Sequence, residues 1–150
     1  MKITVDEVLQ EGNWQPEPWR PRLADEAAFR AFVLQIIERV AAQVEWRVGS
    51  ANYASPSATL AAVLKEAEQH LAQEALLLAA AELADHAPDT ATAPFRGRGD
   101  ELRRAAGARR ARAEALLAPH ELATGQPGWR QPTARAGRGD PPVRPRFGGR

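Results

Sequence analysis

The clearest pattern along the chain is a stripe of apolar side chains between Asp25 and Gly49. These side chains recur at spacings of three and four residues, and charged residues fall between them. They are Phe29, Phe32, Val33, Ile36, Ile37, Val40 and Val44. Because an α-helix brings residues three and four apart onto one face, the pattern predicts an amphipathic helix. Asp25 is suited to cap its start and Gly49 to end it.

A second, longer helix is predicted from Pro56 to Asp85. Residues 52–57 form a break in which Ser55 can cap the helix and Pro56 can be its first residue. Four leucines mark its predicted apolar stripe: Leu60, Leu64, Leu71 and Leu78. The helix would extend roughly 45 Å at 1.5 Å per residue, which is long for a small core. Three consecutive leucines at 76–78 place apolar groups on several faces, and this favours packing against another subunit.

The N-terminal region predicts a short helix followed by a proline-rich segment. Thr4 and Glu7 have the spacing of a capping box, and Gly12 is suited to end the helix. Three prolines within residues 13–23 favour extended, polyproline-like backbone. Two tryptophans of this segment are expected to fold back onto the helical body: Trp14 and Trp19.

A third substantial helix is predicted over residues 101–117, with Asp100 as its N-cap and Pro119 as its stop. Five arginines crowd its surface: Arg103, Arg104, Arg109, Arg110 and Arg112. No segment has the pattern of a strand, so the predicted fold class is all-α, a small helical bundle with one long central helix. The predicted divisions are an N-terminal short helix and extended Pro/Trp segment at 1–24, the bundle at 25–122 and an extended arm at 123–150.

The formal net charge of +1 conceals two regions of opposite sign. Residues 1–91 contain seven Lys and Arg against fourteen Asp and Glu, whereas residues 92–150 contain thirteen Arg against five Asp and Glu. Arginine is the side chain suited to bidentate contacts with carboxylates and phosphates. An acidic body with a basic arm can pair with copies of itself or with another acidic surface.

Composition narrows the chemistry that the chain can perform. It has no cysteine, which excludes disulfides, iron–sulfur clusters and thiol catalysis. No run approaches the eighteen or so apolar residues of a membrane span, and the first residues lack the apolar core of a signal peptide, so we expect an intracellular protein without a membrane contact. The histidines lack the spacing of metal ligands: His70, His86 and His120. We therefore predict neither enzyme activity nor a cofactor.

The C-terminal arm is the predicted partner-binding segment. Residues 125–150 contain five Pro, six Gly and six Arg, and they cannot bury enough apolar surface to offset their ordering entropy alone. The residues expected to contact a partner are Trp129, Arg130, Arg144, Arg146, Phe147 and Arg150. Two interpretations of the basic residues stay open. Those of the third helix and arm can pair with an acidic body, within or between subunits, or they can neutralise the phosphates of a nucleic acid.

The order of the predicted segments follows a pattern found in one family of viral proteins. A helical segment at 29–47 is followed by a small polar loop at 48–57 and a long Ala/Leu helix that reads LAAVLKEAEQHL at 60–71, then by a basic helix and a C-terminal tail. This layout, over residues 1–122, resembles the head–tail connector proteins of long-tailed bacteriophages, also called adaptor or head-completion proteins. The Pro/Trp-rich N-terminal segment and the Arg-rich arm depart from that pattern, which leaves the target of the arm open.

The resemblance implies a structural virion protein of the phage neck that is assembled in the host cytoplasm. It implies a homo-oligomeric ring, commonly twelvefold, that joins the portal protein to a tail or stopper protein and continues the DNA channel. The arm would contact the portal, and DNA would pass without sequence-specific binding. Two other classes stay open: a nucleic-acid-associated helical protein that uses the Arg-rich helix and arm, and a small regulatory or chaperone-like helical dimer.

Overall fold

A computed structural model describes residues 1–20, 22–86, 95 and 97–122. Every regular element in these ranges is helical, which confirms the predicted all-α fold class. The elements are α1 (Val5–Gly12), α2 (Glu26–Val48), α3 (Ser50–Ala54), α4 (Ala58–Asp85) and α5 (Gly99–Leu117), with short 3-10 turns at Glu17–Trp19 and Ala118–His120. No helix within the described ranges is long and apolar enough to cross a membrane.

The central helix is α4, which packs along α5 and is also covered by α2 and α1. Its 28 residues span roughly 42 Å. Its buried apolar residues are Leu64, Ala67, Leu71, Ala72, Leu76, Ala80 and Ala81. Leu78, predicted on the same stripe as Leu64 and Leu71, is instead 41% exposed, because Leu76 lies in the core. The apolar faces of α4 are therefore largely covered within one chain, and the length of this helix does not by itself indicate subunit packing.

The second helix begins and ends where the sequence predicts. The Asp25 side chain accepts a hydrogen bond from the Ala28 backbone N–H at 2.7 Å. Gly49 follows the last turn with a φ of 84°, a conformation that favours glycine. The predicted stripe is buried apart from Phe32, which is half-buried against the core. This arrangement turns the apolar face of α2 inward and leaves its opposite face in solvent.

The capping box of α1 is confirmed, but its C-terminal end differs from the prediction by one residue. Thr4 N–H donates to Glu7 Oε2 at 2.8 Å, and Glu7 N–H donates to Thr4 Oγ1 at 3.3 Å. Gly12 is still helical, and Asn13 takes the left-handed conformation with a φ of 49°. Gly12 has a different role, since a Cβ there would lie 2.1 Å from Trp14 Nε1.

The prediction of extended backbone after α1 is wrong at Glu17–Trp19, which forms a 3-10 turn. Pro16 has φ −71° and ψ −27°. A proline fixes φ alone, so it is compatible with such a turn as well as with polyproline-like backbone. The turn carries Trp19 into the core, where it is fully buried and its ring centroid lies 5.5 Å from that of Phe29. The predicted folding back of Trp14 and Trp19 is thereby confirmed.

Two predicted helix starts are wrong by a few residues. Ser50–Ala54 forms α3, which overlaps the break predicted at 52–57, and the side chain that caps α4 is Ser57 rather than Ser55. The last long helix, α5, already begins at Gly99. Asp100 therefore lies in its first turn, where a negative charge is favourable, instead of capping it. The C-terminal end of α5 coincides with the prediction.

Candidate functional site

The arginines of α5 reach toward acidic side chains of α1 and α4. Arg109 Nη1 donates to Glu11 Oε1 at 2.6 Å and also contacts His70 Nδ1 at 3.1 Å. The other pairs join α5 to α4: Arg103 with Asp85, Arg110 with Glu74 at 3.2 Å, and Arg112 with Glu66 at 3.4 Å. We call these four arginines, Arg103, Arg109, Arg110 and Arg112, the α5 clasp. The clasp holds α5 in register against the acidic side of the same chain.

Arg104 is the exception among the five arginines predicted on this helix. Its Nε donates to the Asp100 backbone oxygen at 3.3 Å, and it forms no ion pair with a carboxylate in the described part of the chain. An exposed ion pair contributes about 0–1 kcal/mol, so each pair of the clasp orients α5 more than it stabilises the fold. The five arginines therefore do not form one uninterrupted basic strip.

Arg47, at the end of α2, holds the last described residues of the chain, Glu121 and Leu122. Its Nη2 donates to Glu114 Oε2 at 2.9 Å, and its Nε donates to Glu121 Oε1 at 2.8 Å. The hydrogen bond from Arg47 lowers the pKa of Glu114. Leu122 N–H donates to the Arg47 backbone oxygen at 3.0 Å. Leu122, the residue before the segment 123–150, consequently lies beside the C-terminal end of α2.

Trp46 is the one aromatic side chain in the described ranges that is mostly in solvent, with 69% of its surface exposed. It lies on the outer face of α2, two residues from each of the fully buried Val44 and Val48. At 100° per residue this spacing places it about 200° from either valine. The Trp46 face is defined by the exposed residues Gln35, Glu38, Arg39, Ala42, Gln43 and Trp46. The sequence carries the signal for this exposure, because Trp46 lies off the predicted apolar stripe.

Two buried polar side chains of α4 fix the N-terminal segment. Gln73 Nε2 donates to the Val8 backbone oxygen at 2.7 Å, and Gln73 Oε1 accepts from Trp14 Nε1 at 2.8 Å. Glu68 is fully buried and accepts from a backbone N–H of the N-terminal segment at 2.6 Å and from the Tyr53 hydroxyl. Burial and the hydrogen bond to Glu68 raise the pKa of Tyr53. Gln73 and Glu68 thus form their hydrogen bonds with groups of the same chain, so we assign them a role in packing.

A shallow groove of about 640 Å³ runs between α1 and α4. The polar and charged side chains that line it are Glu7, Gln10, Glu11, Lys65, Glu66, Gln69 and His70. Three of these side chains, Glu11, Glu66 and His70, already contact the α5 clasp. No group of three acidic or histidine side chains in the described ranges is placed to hold a metal ion. Within the described ranges the groove therefore presents no set of metal ligands.

The predicted partner contacts of the arm lie outside the described residues. They are Trp129, Arg130, Arg144, Arg146, Phe147 and Arg150. What the structure contributes is the place where this segment begins, at Leu122, and the surfaces around that place.

Comparison with known proteins assigns this chain to no family. No protein family, curated protein or solved structure matches this chain. Function is therefore inferred from the α5 clasp, the Trp46 face and the charge of the C-terminal segment.

Proposed function

We propose that this chain is a structural assembly subunit, in its most specific form a ring-forming adaptor of a phage neck that joins the portal protein to a tail or stopper protein. The observation that carries the proposal is the internal pairing of the α5 clasp. These arginines already bind carboxylates of their own chain, and the densest group of further arginines in the sequence lies in the arm, with six in residues 123–150. In this proposal the chain acts by binding other subunits and proteins, and it needs neither catalysis nor a cofactor.

The charges of the two parts support contact between molecules. Residues 1–122 contain fourteen Lys and Arg against eighteen Asp and Glu, whereas residues 123–150 contain six Arg against one Asp. Opposite charges on two parts of one chain favour head-to-tail association, which closes into a ring when the rotation between copies permits. The resemblance described above suggests the portal protein as a further partner, with DNA passing through the channel.

The alternative is a nucleic-acid-associated helical protein that uses α5 and the arm. The internal pairing of the clasp weighs against it, because phosphate binding to Arg109, Arg110 or Arg112 would have to displace carboxylates. Arg104, which forms no ion pair with a carboxylate in the described part of the chain, is not subject to this objection. The alternative therefore needs a test of its own.

Two experiments decide between these functions. Removing residues 125–150 is expected to leave a folded helical body that no longer docks onto its neighbour, and an arm-less chain that still docks normally would contradict the proposal. Binding to a DNA duplex, followed by fluorescence anisotropy over a range of salt concentrations, tests the alternative. A log–log slope close to the number of phosphate contacts would favour nucleic-acid binding, whereas the assembly proposal predicts no such salt-dependent complex.

A further inference from the structure

The Trp46 face has the features of a docking surface for an aromatic and cationic segment. Single exposed apolar residues are ordinary, but Trp46 combines 69% exposure with the small Ala42 one turn earlier, which leaves the indole open to approach along the helix. Glu38 and Glu45 lie seven residues apart along one edge of this surface, and this edge is its anionic part, since the exposed Arg39 lies on the same face seven residues before Trp46. In the described part of the chain neither glutamate is in an ion pair with a Lys or Arg. Tryptophan is among the residues that most often dominate binding at interfaces.

The C-terminal segment of this chain has the complementary chemistry. Arg144, Arg146 and Phe147 bring two cations and an aromatic ring within four residues. A guanidinium over an indole face is a favourable cation–π contact, and arginine pairs well with carboxylates such as Glu38 and Glu45. Residues 123–150 as a whole carry six Arg against one Asp.

The covalent reach of the segment permits contact with a neighbouring copy. The segment follows Leu122, whose N–H is bonded to the backbone oxygen of Arg47, the residue after Trp46. A body of 122 residues has a radius of gyration of about 14 Å, which corresponds to a sphere about 35 Å across. At about 3.3 Å per extended residue, roughly eleven residues cross that distance, to about residue 133. Residues 144–147 then have ample chain to reach the next copy. The same length also allows the segment to turn back onto its own α2, so the choice of the neighbouring copy follows from the proposed assembly.

We propose that the Trp46 face receives residues 144–147 of a neighbouring copy, so that each chain carries both halves of a head-to-tail contact. This inference rests on the proposed function in one respect, that copies of the chain assemble. It goes beyond that function by naming the neighbour that the arm binds and the surface that receives it. A heterologous contact of this kind generates a closed ring or an open filament.

The absence of cysteine allows a direct test with full-length chains. An Ala42→Cys variant and a Gly148→Cys variant keep both Trp46 and Phe147, and they are mixed and mildly oxidised. We expect a disulfide-linked pair that contains one chain of each variant, identified by its mass. The matched control replaces Ala42→Cys with Ala111→Cys, an exposed alanine of α5, and is expected to give no linked pair above background.

A second variant separates docking from chance collision. Adding Trp46→Ala to the Ala42→Cys chain is expected to abolish the linked pair and to weaken association of the full chain at least about tenfold. Leu78→Ala truncates another exposed apolar side chain, on α4, and is expected to change neither result.

The remaining outcomes overturn the inference in distinguishable ways. Linkage only within a single chain that carries Ala42→Cys and Gly148→Cys would show that the arm covers its own α2. Ala42→Cys chains linked mainly to each other would show that two α2 faces meet. Assembly that persists unchanged with Trp46→Ala would remove this surface but leave the proposed function standing. A chain that neither links nor associates at any concentration would remove both.

Discussion

Replacing Gly12 with alanine is expected to destabilise the fold, although alanine is ordinarily the better helix former. A Cβ at this position would lie 2.1 Å from Nε1 and 2.3 Å from Cδ1 of Trp14, and 2.5 Å from Oε1 of Gln73. The indole therefore has to move. Its movement breaks the 2.8 Å hydrogen bond to Gln73 and disturbs the edge contact with Trp19, whose ring centroid is 5.8 Å away.

The magnitude follows from three contributions. Forcing a close-packed side chain aside costs about 1–3 kcal/mol. Leaving the buried Gln73 oxygen without its donor costs about 1–3 kcal/mol more, although a partial shift of the ring would recover some of it. The gain from replacing glycine in a helix is at most about 1 kcal/mol and is smaller at the last residue of α1. We expect a net loss of about 2–3 kcal/mol in the free energy of unfolding.

The matched control is Gly107→Ala in α5. No atom lies within 4 Å of a Cβ at this position, so only the backbone contribution changes, and stability is expected to rise by about 1 kcal/mol. Urea unfolding of the two full-length variants, followed by far-UV circular dichroism, measures both changes. Two alanine variants that shift stability in the same direction would refute the account of how Trp14 packs on α1.

Three further predictions concern polar contacts, each measured by urea unfolding. Tyr53→Phe removes a hydrogen-bond donor from the buried Glu68 carboxylate and is expected to lower the free energy of unfolding by about 1–3 kcal/mol. An unchanged urea midpoint would contradict the contact between Tyr53 and Glu68. Arg47→Gln is expected to cost about 1 kcal/mol at pH 7. Because Arg47 lowers the pKa of Glu114 below its ordinary 4.5, this difference should be present above that pH and shrink as the pH falls below it; a difference that grows in acid would be inconsistent. Arg109→Gln should cost up to about 1 kcal/mol and more than Arg104→Gln, and the reverse order would argue against the clasp.

The features that the sequence predicted well are local ones. The stripe of α2 and its ends at Asp25 and Gly49 depend on helical periodicity and on the preferences of two terminal residues. The capping box of Thr4 and Glu7 depends on a three-residue spacing. Such features are encoded within one turn of the chain, and distant packing rarely overrides them.

Features decided by packing were predicted less well. Pro16 was compatible with either an extended segment or a turn, and the burial of Trp19 against the core decides for the turn. Leu76 and Leu78 are equally apolar, so only the direction of the neighbouring helices determines which one is buried. The partners of the α5 clasp could not be read from spacing at all, because Arg109 and Glu11 are 98 residues apart in the chain.

The candidate docking surface lies between these two cases. The position of Trp46 on the outer side of α2 follows from the same periodicity that predicts the buried stripe, so it was predictable in principle. Its proximity to the start of the arm was not, because it depends on the contact between Leu122 and Arg47. That contact forms only when the end of α5 meets the end of α2.

Sedimentation velocity of the full-length chain over a wide range of concentrations tests the assembly proposal most directly. We expect a species that contains several copies of the 16.3 kDa chain, roughly 200 kDa for the twelvefold ring that the resemblance implies. A single 16.3 kDa species at every concentration would contradict the proposal that this protein functions as an assembly subunit.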